Sequence, residues 1–213
     1  LSSGTRQGGV VHFGGEFSDK SFAVCGKTLY NCAKCKEDKV RRRETKNLLM
    51  SVQRIVPVAG QESVWDYPRP PRVEPTAKQV RVVFHGVVIA ETRNALRVLE
   101  TSHPPVYYIP PQAIRMEFLH VTAQQTFCEF KGAARYYTVT VGDKTSENAA
   151  WFYPQPARGY QVLQNYVAFY PQRVEACFVD GERVTPQPGD FYGGWITHDI
   201  VGPFKGAVGT HGW

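Results

Sequence analysis

Two stretches decide the fold class: QVRVVFHGVVIAET at residues 79–92 and RVEACFVDGERVTP at residues 173–186. Each is a pair of short runs rich in β-branched and aromatic residues around a turn dipeptide, His85-Gly86 in the first and Asp180-Gly181 in the second. Val80 and Val82 alternate with Arg81, the period of two that a half-buried strand requires. Asp-Gly tolerates positive φ at both central positions of a tight hairpin turn. Both stretches are therefore predicted to be β-hairpins.

The neighbouring sequence reads the same way. PPVYYIPP (104–111), AIRMEFLHV (113–121), TFCEFKG (126–132) and ARYYTVTV (134–141) are strand-like runs separated by proline, glycine and polar residues. GYQVLQNYVAFYP (159–171) suggests a short helix followed by a strand. Residues 186–213 are Gly-rich and read as mostly loop. Of the residues, 13% are aromatic and 15 are prolines. Both figures favour a turn-rich β domain over a helical bundle. No run of about 18 apolar residues exists, so no membrane-spanning helix is predicted. The fold class expected is mainly β: a compact antiparallel domain over residues 61–213, preceded by an extended basic arm over residues 1–60.

The arm carries the charge. Residues 1–60 hold 11 Lys/Arg and 5 Asp/Glu, a net +6, whereas residues 61–213 hold 14 of each. KCKEDKVRRRETK (34–46) is a solvated charge run, and a short helix around Arg41 to Arg54 could gather Leu48, Leu49, Val52 and Ile55. An arm with so few apolar side chains cannot offset the entropy of ordering itself. It is expected to lie along the acidic surface of a larger protein assembly, with Arg41, Arg42 and Arg43 near acidic groups. Organellar respiratory or photosynthetic complexes are the candidates, and membrane contact would be peripheral. No aromatic residue is interleaved in the basic run and the remaining chain is neutral, so no specific nucleic-acid groove is indicated. The first residue, Leu1, is not Met. With the basic segment, this leads to an organellar location as the expectation, chloroplast or mitochondrion, with the cytoplasm as the alternative.

Five cysteines in a chain of 213 residues do not make a disulfide framework. Cys25, Cys32 and Cys35 include one C-x-x-C, but a closed zinc site needs four ligands and only His12 offers a nearby fourth. Plain thiols or a local disulfide fit as well, and no cofactor is expected.

The chemistry concentrates in FCEFKGAARYY (127–137). A regular strand there would put Cys128 and Phe130 on one face and Glu129 and Lys131 on the other. Cys128 would then be an inert packed thiol and Glu129/Lys131 a surface pair. A bulge at Gly132 would instead let Cys128 and Lys131 meet. Phe-Lys-Gly-Ala recurs at 204–207. Two Lys-Gly turns could flank one acidic ligand, or the repeat could be chance. Before Pro104, Glu100 and His103 are candidate acid and base, Glu100 the better of the two, or else residues of a pre-proline turn.

The stretches ESVWDYPRPPRVEP (62–75), RVLETSHPPVYYIPP (97–111), FCEFKGAARYY, NAAWFYPQP (148–156), YVAFYPQRVEACFVDGERV (166–184) and GDFYGGWITHDIVGPFKG (189–206), with GTHGW at 209–213, resemble the DUF427 family, whose function is unknown. The likeness covers about residues 62–213; residues 1–60 resemble nothing recognised. It implies a β-tent, Mss4-like fold, whose members include metal-binding proteins and methionine sulfoxide reductases. Such kinship does not transfer activity. The family also carries a label suggesting nucleotidyl transfer, which this sequence does not support: there is no glycine-serine phosphate loop followed by paired aspartates on one strand. The Cys-x-x-Lys-Gly segment is among the family's signature residues. On that basis Lys131 is expected to supply positive charge to a pocket walled by Tyr107, Tyr136 and Trp151, with Lys205 contributing. Two functions stand open, the first favoured for this chain by its segregated charge and the second kept as the alternative. One is an accessory or binding protein docked through its arm. The other is an enzyme acting on a small acidic or carbonyl substrate, with Cys128 as nucleophile and Lys131 or Glu100 assisting.

Overall fold

The computed structural model describes residues 52–210 and 212–213, and the chain from Val52 to Trp213 forms a compact unit. Cys25, Cys32, Cys35, Arg41, Arg42 and Arg43 lie outside the described residues, as does most of the helix expected around Arg41 to Arg54; residues 52–54 carry no helix.

The elements are strands joined by single 3₁₀ turns: β1 (Glu62–Ser63), β2 (Arg72–Thr76), β3 (Val80–Phe84), β4 (Val87–Thr92), β5 (Ala95–Leu99), β6 (Val106–Ile109), β7 (Leu119–Cys128) and β8 (Gly132–Val141). They continue with β9 (Lys144–Phe152), β10 (Val167–Phe169), β11 (Ala176–Val179), β12 (Glu182–Arg183), β13 (Thr185–Pro186), β14 (Trp195–Ile196) and β15 (Ile200–Val201). The protein is mainly β, as its sequence predicts. β3–β4 and β11–β12 are the two expected hairpins. Their turns place His85 and Gly86 at φ of 49° and 70°, and Asp180 and Gly181 at 47° and 85°, the left-handed pair that a tight two-residue turn demands. The tail carries more order than its glycine content suggests, since β14 pairs with β13 and β15 runs parallel to β1.

Two antiparallel sheets face each other. The larger has the order β2-β5-β6-β10-β9-β8-β7, the smaller β12-β11-β3-β4. Val80, Val82 and Ile89 from the small sheet pack with Tyr107, Ile109, Val139 and Phe169 from the large one into the main core, closed by Trp195. Pleating sends alternate residues of the large sheet to the opposite face. There Tyr108, Tyr136, Trp151, Ala168 and Tyr170 form a second, aromatic cluster. The cross-strand register sets Tyr108, Ala168, Trp151 and Tyr136 side by side across β6, β10, β9 and β8. The outermost strand β7 is irregular: Val121 pairs with Tyr137 and Gln125 with Arg135, so three residues of β7 oppose the single residue Tyr136.

FCEFKG is not a continuous strand. β7 stops at Cys128 and β8 starts at Gly132, so Glu129, Phe130 and Lys131 form the turn between them. The strand expectation fails because Gly132, at φ 93°, permits the chain to reverse where a Cβ-bearing residue would be strained.

Candidate functional site

The aromatic face of the large sheet opens into a cavity of about 410 Å³. Its floor follows from the register described above. Ala168 is the small residue between Tyr108 and Trp151, and across it the indole Nε1 of Trp151 donates to the Tyr108 hydroxyl at 3.1 Å. The Tyr136 hydroxyl pairs with Thr126 Oγ1 at 2.8 Å. Trp151 and Tyr170 pack with ring centroids 4.4 Å apart. Burial first of all raises Tyr108, Tyr153 and Tyr170 well above the ordinary phenol value, so these three hydroxyls stay protonated.

Charged groups enter from the turns. Lys131 comes from the β7–β8 turn, which is tied down by the Ala157 amide donating to its carbonyl at 3.0 Å. Lys205 comes from the tail, where Gln187 Nε2 donates to its carbonyl at 2.7 Å and its own amide donates to Ser102 at 2.9 Å. Gln187, 2% exposed, also accepts from the Gly194 amide at 3.1 Å. One buried amide thus fastens both halves of the tail to the cavity. Both lysines are 8% exposed. Burial, then the nearby Arg69 charge, holds the Lys205 ammonium below the ordinary lysine value, with Glu100 and Glu129 opposing. Arg69 donates to Glu129 at 2.8 Å, lies 3.9 Å from Glu100, and sits over the Phe130 ring at 5.5 Å.

The cavity brings together Cys128, Lys131, Glu100, Tyr136, Trp151 and Lys205, six of the residues singled out in the sequence. It does not include Tyr107. That side chain is 1% exposed and belongs to the main core beside Trp195, and burial raises its hydroxyl well above the ordinary value. The neighbour Tyr108 takes the place expected of it, because consecutive residues of β6 face opposite ways. The two Lys-Gly turns do converge, though the Gly206 amide donates to Thr210 Oγ1 at 2.8 Å and is not offered to a ligand.

His103 is a fuller member of the site than its sequence context suggests. Its Nδ1 lies 2.9 Å from the Thr101 carbonyl, a contact that fixes the proton on Nδ1 and leaves Nε2 as a lone-pair acceptor. Burial, more than any other cause, lowers its affinity for a second proton. The Lys205 and Lys131 charges act in the same direction, while the Thr101 contact and Glu100 oppose them. Its ring meets that of Tyr192 edge-on at 4.8 Å. Arg69, Tyr153, Tyr170, Gln187 and Tyr192 also line the cavity. Of these, only Tyr170 and Tyr153 carried a signal, as alternate residues along aromatic strand runs. The others arrive from loops by tertiary packing.

A second cluster, Glu182, His198 and Asp199, has the separation of a metal site. Its groups already satisfy one another and their neighbours: Glu182 holds His198, and Asp199 is held by Lys78 and Thr197. Among the described residues no helix is long and apolar enough to cross a membrane.

A comparison with curated proteins finds no match. The family profile described as "Domain of unknown function (DUF427)" matches residues 72–180, which include the floor of the cavity, Cys128 and Lys131. The chain belongs to the DUF427 family.

Proposed function

We propose that this protein is a small-molecule enzyme whose site is built on Cys128 and Lys131 and accepts a small acidic or carbonyl compound. The observation that carries the reading is the convergence of a half-buried thiol, two buried ammonium groups and a neutral imidazole in one cavity of about 410 Å³. That size suits a small ligand. In this reading the Cys128 thiol gives its proton to His103 Nε2. The sulfur then forms a bond to the carbonyl carbon, and the electron pair displaced onto oxygen is stabilised by Lys131. Glu100 and Arg69 hold the surrounding charge in place.

The test is alkylation of the native protein by iodoacetate and by iodoacetamide, followed by peptide mapping. Cys128 should react with both, and exchange of Lys131 for methionine should slow the charged reagent more than the neutral one. A Cys128 as inert as the buried Cys177 ends the proposal.

A second reading, docking into a larger assembly through residues 1–60, is supported by the segregation of the +6 charge into that segment. It is compatible with a working cavity. Size-exclusion of native material tests it: migration of the chain as a lone 24.0 kDa species speaks against docking.

A further inference from the structure

We infer that the cavity takes a planar, conjugated monocarboxylate, its acid group between Lys131 and Lys205 and its ring on the Tyr136–Trp151–Tyr170 wall. The inference rests on the proposed small-molecule site and names its ligand class.

The charge follows from the lining. Arg69, Lys131 and Lys205 face Glu100 and Glu129, and His103 is neutral. Arg69 is engaged by both glutamates. Neither lysine makes an ion pair with a described residue, although Lys205 Nζ donates to the main-chain oxygen of Trp213. Among the side chains that line the cavity, cations thus outnumber carboxylates by one. A monoanion balances that excess, whereas a dianion exceeds it.

The shape of the ligand follows from the walls. Nine aromatic side chains line the cavity, against the small aliphatic groups of Val98, Val106 and Ala134. The hydroxyls of Tyr136, Tyr108 and Tyr170 are committed to Thr126, Trp151 and the Phe191 carbonyl. The inner wall thus presents mainly ring faces and edges. Electron-rich tyrosine and tryptophan faces repel a carboxylate but accept a flat ring in offset or edge contact. The acid must then point to the lysines and the ring inward.

Calorimetric titration of the full chain with four probes tests this. Benzoate has the ring and the single charge, cyclohexanecarboxylate lacks the flat ring, benzamide lacks the charge, and phthalate doubles it. Benzoate should bind with a Kd of about 1 mM or tighter, and each of the other three should bind at least roughly fivefold more weakly. Lys131→Met and Lys205→Met should each weaken benzoate by about tenfold. The four probes on the unaltered protein decide the matter even if a lysine variant fails to fold. Equal binding of cyclohexanecarboxylate, benzamide or phthalate overturns the inference, as does the absence of any benzoate binding. If benzoate is silent while Cys128 still alkylates in the native protein, the ligand class is wrong and the site reading stands. An inert Cys128 removes both.

Discussion

Trp151 and Tyr108 are joined by a hydrogen bond of 3.1 Å that passes over Ala168, the one small residue in their cross-strand row. The gap between the two large rings thus lies in the sheet beneath the cavity. Ala168→Val would insert two methyl groups into fully buried space. It is expected to destabilise the protein by about 1–3 kcal/mol and to weaken any cavity ligand. Urea denaturation measures the first effect and titration the second.

Gly193 is the matching close approach from the tail. A Cβ there would fall 2.4 Å from Cη2 of Trp151 and 3.2 Å from Cδ1 of Tyr170. Gly193→Ala should push the indole into the cavity or lift the tail away. The expected outcome is a loss of about 1–3 kcal/mol with a shifted tryptophan emission spectrum. An unchanged melting temperature and spectrum would show that the tail does not rest on Trp151 in solution.

The two described histidines with shifted values should give opposite pH dependences. For His103 the folded value lies below the unfolded one, so in that window the unfolded chain binds more protons and stability rises with pH. Acidification below about 6.5 should therefore cost stability as a buried imidazole is forced to charge, and His103→Asn should flatten that limb. His198 is raised by its contact with Glu182, so its contribution is present at low pH and disappears as pH climbs through the folded value. Denaturation midpoints across pH, with imidazole titration by NMR, check both signs.

Arg97 tests the edge of the large sheet. It donates to Glu62 at 2.9 Å and to Glu74 at 2.6 Å with its side chain 14% exposed. Tyr67 donates to the same Glu62 at 2.9 Å. Arg97→Met should cost about 1–3 kcal/mol, because two partly buried carboxylates lose their cation. Replacing Glu62 by Gln in the same protein should recover part of the loss.

Gly181 tests the hairpin that first identified the fold. Its φ of 85° is strained for any residue with a Cβ, although nothing lies within 4 Å of one built there. Gly181→Ala should therefore destabilise by about 1 kcal/mol through backbone strain alone. A chemical denaturation curve with an unchanged slope and a lower midpoint is the expected result.

The hairpins were legible because turn chemistry and strand period act locally. Asp180-Gly181 and Val80-Arg81-Val82 needed no partner to be recognised. The site was half legible. Cys128, Lys131, Tyr136 and Trp151 stood out as reactive or aromatic residues in dense runs, and all reach the cavity. Tyr107 did not, because two adjacent tyrosines carry no mark of which faces which layer until the register of β6 is fixed. His103 reads either as a candidate base or as a pre-proline turn residue, and its place in the cavity depends on the distant tail that brings Lys205 near it. Arg69 and Gln187 depend likewise on contacts far apart in the chain.

The irregular pairing of β7 has a consequence for the protein in a crowded solution. This strand is the outer margin of a seven-stranded sheet, with Phe127 80% and Val121 50% exposed, the profile of a surface on which further copies could polymerise. Thr122, Ala123 and Gln124, three residues set against the single Tyr136, break its line of outward amide and carbonyl groups midway. A foreign strand laid along it would register with one half and miss the other. Lateral strand addition is thus disfavoured by the same distortion that lets Thr126 meet Tyr136, and deleting two of these residues to regularise the strand should raise the protein's tendency to aggregate.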